Sequence, residues 1–462
     1  MSDPLDFSTF DALGDKQWKQ HIQMELGGKD YNDTLIWESP EGIAVKPFYS
    51  ASSQKHQGYV IPNMPRNWQT IVAVFVDDPA VARHLVKTAL EQGAKGLYIQ
   101  ANSPFDCAKV FGEIDLSQTR IYLRTSFLDS VFSKKSEAFF QKAKATLHHN
   151  IDPLYHLAHT GVWHTNCAAD HQILGDLIND FEPEAQILGV HMDLYQNAGA
   201  TITQQLGYAL AHLHEAIHCL QTNGKKTGQL RVTFMVSLGT NYFFEIAKMR
   251  ALRLLVNRLG KTINLKISCH VLAMPSKRYS TIYDYNNNLL RHTTELMSGI
   301  LGGANSLCNF PYDELYKKSH AFSQRLSRNQ LLILERESFR ELGQDMAQGA
   351  YYIESLTADL AEKALVLLKD IEASGGFLRQ LKSGQIQKKI RESHAKANQD
   401  LHANVHTMLG INAFVDEGQR MQDQLELFPF DKKNPRKTLI EPILERRLAT
   451  EIEQNRYNNE TA

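Results

Sequence analysis

From Trp68 onward, short runs rich in β-branched and aromatic residues alternate with longer stretches in which apolar residues recur every three or four positions. Alternation of this kind arises from βα units, where a strand buried on both faces is followed by an amphipathic helix that returns over the sheet. The runs predict strands at Ile71–Val76, Gly96–Gln100, Arg120–Arg124, His148–Pro153, Ile187–Leu194, Arg231–Leu238, Ile263–Leu272 and Ser306–Asn309. Helical spacing predicts Pro79–Gln92, Asp129–Leu147, Ala198–Leu220, Tyr242–Leu259 and Asn287–Leu301, the last stopped by Gly302-Gly303. Eight units over about 250 residues match a closed (β/α)8 barrel of the TIM type. The alternative, an open doubly wound sheet, lacks its usual support, because no G-x-G-x-x-G or G-x-x-x-x-G-K-[ST] segment follows any strand.

The pattern changes on either side of the barrel. Residues 1–67 form an N-terminal extension, with a helix around Asp15–Leu26, a stop at Gly27-Gly28 and a proline-punctuated stretch from Trp37 to Pro65. This arm is expected to wrap a partner or the barrel exterior. Residues 68–420 hold the barrel and trailing helices at Ser323–Glu337, Leu356–Ser374 and Ser383–His402. Residues 421–462, including Phe430-Asp-Lys-Lys-Asn-Pro-Arg-Lys437, are polar and read as a linker-like tail with no further domain behind it.

Composition narrows the functional classes. With 43% hydrophobic and 22% charged residues over 462 positions, the chain can bury a large core and is not a disordered or fibrous sequence. Fifty Lys and Arg against 51 Asp and Glu leave a net charge of -1, which gives no reason to expect a nucleic-acid or anionic-membrane surface. The first twenty residues have neither the basic nor the apolar segment of a secretory signal, and no run of about 18 apolar residues suggests a membrane span. Cys107, Cys167, Cys219, Cys269 and Cys308 are widely spaced and odd in number, so each reads as a small apolar residue in a reducing cytoplasm.

The sharpest candidate for chemistry is His214-Glu215-Ala216-Ile217-His218, an H-E-x-x-H on a predicted helix. Two imidazoles four residues apart share a helix face and can hold zinc, with Glu215 activating water and Glu245 as a third ligand, as in a zinc metallopeptidase. The competing reading is a solvated or packed helix face. His148, His149, His156, His159 and His164 gather around the fourth strand and the loop after it, the end where barrel active sites lie, but their spacing names no ligand set. Cys269 and His270 are neighbours on a strand and point to opposite faces, so they do not make a nucleophile and base.

Several ordered blocks resemble the methylmalonyl-CoA mutase family. Asn241-Tyr-Phe-Phe-Glu-Ile-Ala-Lys-Met-Arg-Ala-Leu-Arg-Leu-Leu255 resembles a hallmark helix, and Trp37-Glu-Ser-Pro-Glu-Gly-Ile43 with Lys46-Pro-Phe-Tyr49 resembles the N-terminal arm. Asn197-Ala-Gly-Ala200, Asp284-Tyr-Asn-Asn-Asn-Leu-Leu-Arg291 and Leu301-Gly-Gly-Ala-Asn-Ser-Leu307 continue the series. Arg325-Leu-Ser-Arg-Asn-Gln330, Tyr351-Tyr-Ile-Glu-Ser-Leu-Thr357 and Leu409-Gly-Ile-Asn-Ala-Phe414 extend the likeness to about residue 420. The resemblance implies a cobalamin-dependent acyl-CoA carbon-skeleton mutase, whose barrel encloses its substrate with the CoA chain along the axis.

Departures from the family pattern qualify that implication. The family's D-x-H-x-x-G cobalt-ligand motif has only two partial matches, Asp170-His171-Gln-Ile-Leu-Gly175 and Asp400-Leu-His402-Ala-Asn-Val405, and no cobalamin-binding domain is expected after residue 420. The R-Q-Y-A-G-F tyrosine is missing from Trp68-Gln-Thr-Ile-Val-Ala-Val-Phe75. Leu194 stands where the family has a histidine that assists the thioester carbonyl, and Leu272 and Met274 stand in place of an H-x-Q pair. Bulky groups at these three positions suit a filled barrel interior.

The pattern is similar to the small, noncatalytic subunit of bacterial heterodimeric mutases. It implies a large catalytic partner that carries adenosylcobalamin, a complex that interconverts methylmalonyl-CoA and succinyl-CoA, and no catalytic, cofactor-binding or metal residue in this chain. The alternative within the family is a catalytic acyl-CoA barrel served by a separate cobalamin-binding chain.

Overall fold

The computed structural model describes residues 14–53, 60–222, 228–338, 345–430 and 436–461. The readings that fall on residues 1–13, 431–435 and 462 therefore lie outside the described residues. Eight parallel strands close into a barrel: β3 (Gln69–Val76), β4 (Gly96–Ala101), β5 (Arg120–Thr125), β6 (Thr146–Ile151), β7 (Gln186–His191), β8 (Gln229–Leu238), β9 (Lys266–Pro275) and β10 (Ser306–Asn309). The ring closes by β10 pairing with β3, Cys308 opposite Ile71. The (β/α)8 architecture expected from the alternating pattern is the one observed.

Around the barrel run α3 (Pro79–Glu91), α4 (Cys107–Phe111), α5 (Ser130–Lys142), α6 (Pro153–Thr160), α7 (Cys167–Asp180), α8 (Asp193–Asn197), α9 (Ile202–Thr222), α10 (Tyr242–Thr262), α11 (Asn287–Leu301) and α12 (Ala321–Arg336). Then come α13 (Tyr351–Ala373), α14 (Phe377–Lys382), α15 (Gln385–His402) and α16 (Thr450–Thr461).

Several boundaries differ from the sequence reading, among them the strand expected at Ile263–Leu272, which runs over Lys266–Pro275, and three of the differences have identifiable reasons. The helix expected to reach Leu147 stops at Lys142, because Lys144 turns the chain at φ 57° and Thr146 already enters β6. β6 ends before Asp152, whose carboxylate accepts from the Tyr155 amide and so starts α6 with Pro153 in its first turn. β7 ends at His191 rather than Leu194, since Asp193 opens the short helix α8 and its carboxylate is drawn to Arg124.

The arm lies on the barrel exterior. Its two short strands, β1 (Trp37–Glu38) and β2 (Ala44–Val45), form an antiparallel ladder, and Glu41 between them accepts from the first amides of α9, Ile202 and Thr203, both at 2.7 Å. A carboxylate there satisfies orphan donors and meets the positive end of the helix dipole. Ile43 packs into the main core and Trp37 stands edge-on to Phe244, 5.8 Å between centroids. The arm's first helices, α1 (Asp15–Glu25) and α2 (Tyr31–Leu35), lie farther out, and α1 buries no residue.

The tail is not a free linker. Leu439 and Ile440 donate to Gly161 O, Ile443 to Ala158 O, Arg446 to Asn197 O and Leu448 to Arg278 O, so the segment straps the C-terminal ends of the strands from the β6 side to the β9 side. Met421, Phe430, Leu448 and Ala449 then join Ile282, Tyr283 and Tyr316 in a separate apolar cluster. The polarity that suggests a linker is partly internal: Arg447 pairs with Glu453, which is fully buried and accepts from the Ile282 amide.

Gly410 shows how closely this layer packs. It sits at φ 77°, and a Cβ on it would come within 2.4 Å of the Asp284 Cβ. Gly410→Ala should therefore cost about 1–3 kcal/mol, read as a lowered urea midpoint with an unchanged slope.

Candidate functional site

A parallel barrel concentrates strand ends, helix N-termini and loops at one face, which is where a site is sought first. At that face Arg124, near the end of β5, donates to Asp193 Oδ2 at 2.6 Å, to the Tyr98 hydroxyl at 3.1 Å and to the Tyr155 hydroxyl at 2.5 Å. Burial pushes the Tyr155 phenol up to about 12 and raises that of Tyr98 as well. Across the mouth Lys277 lies 3.5 Å from Glu314 and 4.9 Å above the Phe310 ring. Glu314 holds the Lys277 ammonium up, and burial raises the Glu314 carboxyl. Arg124, Asp193, Tyr98, Tyr155, Lys277 and Phe310, with Glu445 from the strap, border a cavity of about 350 Å³, and Glu314 stands behind Lys277.

Beneath this cavity the barrel is closed. Ile71, Tyr98, Tyr122, Met235, Leu272, Met274, Cys308 and Phe310 form one axial cluster, each under a tenth exposed. Lower polar positions are knitted together: the Tyr122 hydroxyl lies 2.7 Å from His270 Nε2 and 2.7 Å from Ser306 Oγ, and His148 Nδ1 lies 2.8 Å from Thr233 Oγ1. The rings of His148 and Tyr122 stack at 4.4 Å. Burial drives both histidines well below the usual imidazole range, so they are neutral packing partners at neutral pH.

Leu272 and Met274 fill the axis as their substitution for polar family residues implies. Leu194 does not. It lies on α8, beyond the end of β7, and packs in the outer core between barrel and helices. Cys269 and His270 do face opposite sides of β9, one in the outer core and the other in the barrel.

Two buried polar networks support the mouth from outside the axis. Asp152 accepts from the His191 amide and lies 3.1 Å from His191 Nδ1 and 2.7 Å from His212 Nε2, while His212 Nδ1 reaches the Tyr195 hydroxyl at 2.9 Å. Burial opposes ionisation of Asp152, but His212 and His191 outweigh it and hold the carboxyl well below its usual range. The second network surrounds Lys248, which pairs with Glu245 and donates to Gln196 at 2.7 Å, Gln205 at 3.1 Å and Ser237 O at 2.7 Å. Burial lowers the Lys248 ammonium, and Glu245 offsets part of that shift.

The zinc reading is not supported by the placement of its residues. His214 Nδ1 is taken by Glu372 at 3.1 Å, and Glu215 accepts from the Leu378 amide at 3.1 Å, tying α9 to α14. Glu245 sits in the first turn of α10 at the mouth, whereas His214 lies about 18 Å along α9, which runs away from it. Among the described residues no group of three His, Cys, Asp or Glu is arranged to hold a metal.

Of the other histidines, His149 faces outward to Glu137 at 2.9 Å, while His156, stacked on His164 at 3.5 Å, and His159, stacked on Tyr155 at 5.4 Å, both line the mouth cavity. All five cysteines are unpaired.

Neither partial cobalt-ligand motif offers an axial imidazole to the mouth. Asp170 on α7 accepts from the His164 and Thr165 amides of the loop before it, and His171 Nδ1 is 2.7 Å from Cys167 O. His402 ends α15 and lies 3.5 Å from Glu451.

His156, His159 and Met274, singled out in the sequence, line the mouth, whereas its charged residues Arg124, Asp193, Lys277 and Glu445 are absent from the sequence-derived candidates. One signal was available for Arg124, a charged residue closing the third predicted strand. Asp193 was hidden inside a strand drawn too long, and Glu445 inside a tail read as a linker.

Comparison with known proteins agrees with this architecture. The sequence model of the methylmalonyl-CoA mutase family matches residues 69–457. The methylmalonyl-CoA mutase small subunit of Porphyromonas gingivalis is 30% identical over 98% of this chain and 78% of its own length. That of Streptomyces virginiae is 26% identical over 86% and 70%. The methylmalonyl-CoA mutase of Cereibacter sphaeroides is 26% identical over 90% of this chain and 66% of its own, so about a third of that longer chain has no counterpart in the match. A match that begins at the first barrel strand and continues into the strap makes the whole closed barrel the shared unit: the chain belongs to the methylmalonyl-CoA mutase family.

Proposed function

We propose that this chain is the noncatalytic small subunit of a heterodimeric methylmalonyl-CoA mutase, supporting a large catalytic subunit that interconverts methylmalonyl-CoA and succinyl-CoA. The observation that carries this reading is the packed axis. A barrel that encloses an acyl-CoA needs an axial passage, and here Tyr98, Tyr122, Met235, Leu272 and Met274 occupy that volume. Close packing of this kind stabilises a barrel and leaves no room for a pantetheine chain. Adenosylcobalamin and the acyl-CoA are assigned to the large subunit, since the described histidines of both partial motifs are engaged away from the mouth.

No helix among the described residues is long and apolar enough to cross a membrane. The five unpaired cysteines suit a reducing compartment, and on that ground the proposed location is the cytoplasm.

Co-expression with a large mutase subunit tests the proposal. The expected result is a one-to-one complex on gel filtration, with soluble yield and activity of the large chain falling when this chain is omitted. An unchanged large chain overturns it. Turnover that persists after the large subunit's own barrel is inactivated would favour the catalytic alternative instead.

A further inference from the structure

The mouth cavity has a charge balance that differs from what an acyl-CoA carrying a carboxylate would require. Arg124 is paired with Asp193 and Lys277 with Glu314, which leaves Glu445 without an ion-pair partner among the described residues. Its charge reaches Arg124, Tyr155, His159, Lys277 and Glu314 around the rim. Asp193 is 1% exposed, lines the same cavity, and has no hydrogen-bond partner on Oδ1. An unpartnered buried carboxylate oxygen is a costly feature that a donor in the cavity would relieve. The apolar wall is aromatic, made by Phe75, Tyr98, Tyr155 and Phe310.

We propose that the mouth binds a small organic cation, a primary ammonium on a flat apolar body, whose N–H groups donate to Glu445 and Asp193 while the body rests on Phe310 and Phe75. With Arg124 and Lys277 each already held by a carboxylate, the unpaired Glu445 and the free Oδ1 of Asp193 favour a positive ligand over an anionic one of equal size. Aromatic faces add attraction for an ammonium and for a flat apolar group. The cavity volume of about 350 Å³ suits a ligand of one ring and a short amine. This inference does not rest on the mutase reading, because it concerns only what the closed mouth recognises.

Isothermal titration and ligand-observed saturation-transfer NMR with benzylamine, benzyl alcohol and benzoate provide the test, since the three differ mainly in charge. Benzylamine is expected to bind the full chain, benzyl alcohol more weakly, and benzoate not measurably. Glu445→Gln should weaken benzylamine by at least about tenfold while leaving benzyl alcohol unchanged. Should that variant loosen the strap, seen as a lowered melting temperature, Phe75→Ala on the half-exposed wall should weaken benzylamine with no change in melting. Benzoate binding as well as benzylamine, no benzylamine binding at all, or an affinity indifferent to both variants overturns the proposal.

Discussion

Lys248→Met should destabilise the protein by about 3–5 kcal/mol, more than any other single side-chain replacement considered for this fold. The methylene stem is nearly preserved, so the loss is electrostatic. Glu245 is 2% exposed and would be left as a buried carboxylate without its cation, while Gln196, Gln205 and the Ser237 carbonyl would each lose a donor. Removing one partner of a buried pair costs far more than the pair contributes. The double replacement Lys248→Met with Glu245→Gln should therefore recover a large part of the loss, giving a strong coupling in a double-mutant cycle. Urea unfolding of the four proteins measures it, and independent, additive effects would show that the cage is not a coupled unit.

Acid should weaken the fold well before most carboxylates titrate. Burial holds His148 and His270 well below the ordinary imidazole range and His292 down to about 4. Their stabilising contribution is complete above the unfolded value of about 6.5 and is lost as pH falls below it, because the unfolded chain takes up protons that the native chain cannot hold. The loss continues until His292 itself protonates near 4. Burial of Glu295 and Glu314 acts in the opposite direction, since a raised carboxyl gains stability as pH falls towards its ordinary value. The three histidines outnumber these two carboxyls, and the net fall between pH 6.5 and 5 should be on the order of 2 kcal/mol. Urea midpoints across that window check the sign, and His292→Gln should flatten the profile. A midpoint that rises on acidification would refute the assignment of neutral, buried rings.

Much of this molecule was legible because barrel elements announce themselves by period. Asn287–Leu301 and Ser306–Asn309 coincide with their predicted bounds, since a polar-faced helix, two glycines and a short apolar strand leave little freedom. α7 was missed because its sequence mixes Asp170 and His171 with apolar residues, and both polar groups are buried by local hydrogen bonds that no periodicity reveals. The tail was misread for the same reason: Arg447 and Glu453 look solvated in sequence and are instead partners in an interior pair.

The site divides similarly. Leu272 and Met274 foretold the filled axis, because a loss of polarity at a strand end is visible residue by residue. His156 and His159 were expected at this end and line the mouth, but its charged groups were not foretold, since Arg124, Asp193, Lys277 and Glu445 come from four separate segments that only the closed ring brings together.

The packed axis also changes what natural variation is free to do. In a barrel that must admit a ligand, each inward residue is constrained in shape and chemistry by something that is absent most of the time. Here Met235, Leu272 and Cys308 answer only to the packing of the axial cluster they share, and a gain of volume at one can be offset by a loss at its neighbour. Inward positions of this lineage should therefore drift in compensating pairs, while the outer contacts that hold the ring in place change more slowly.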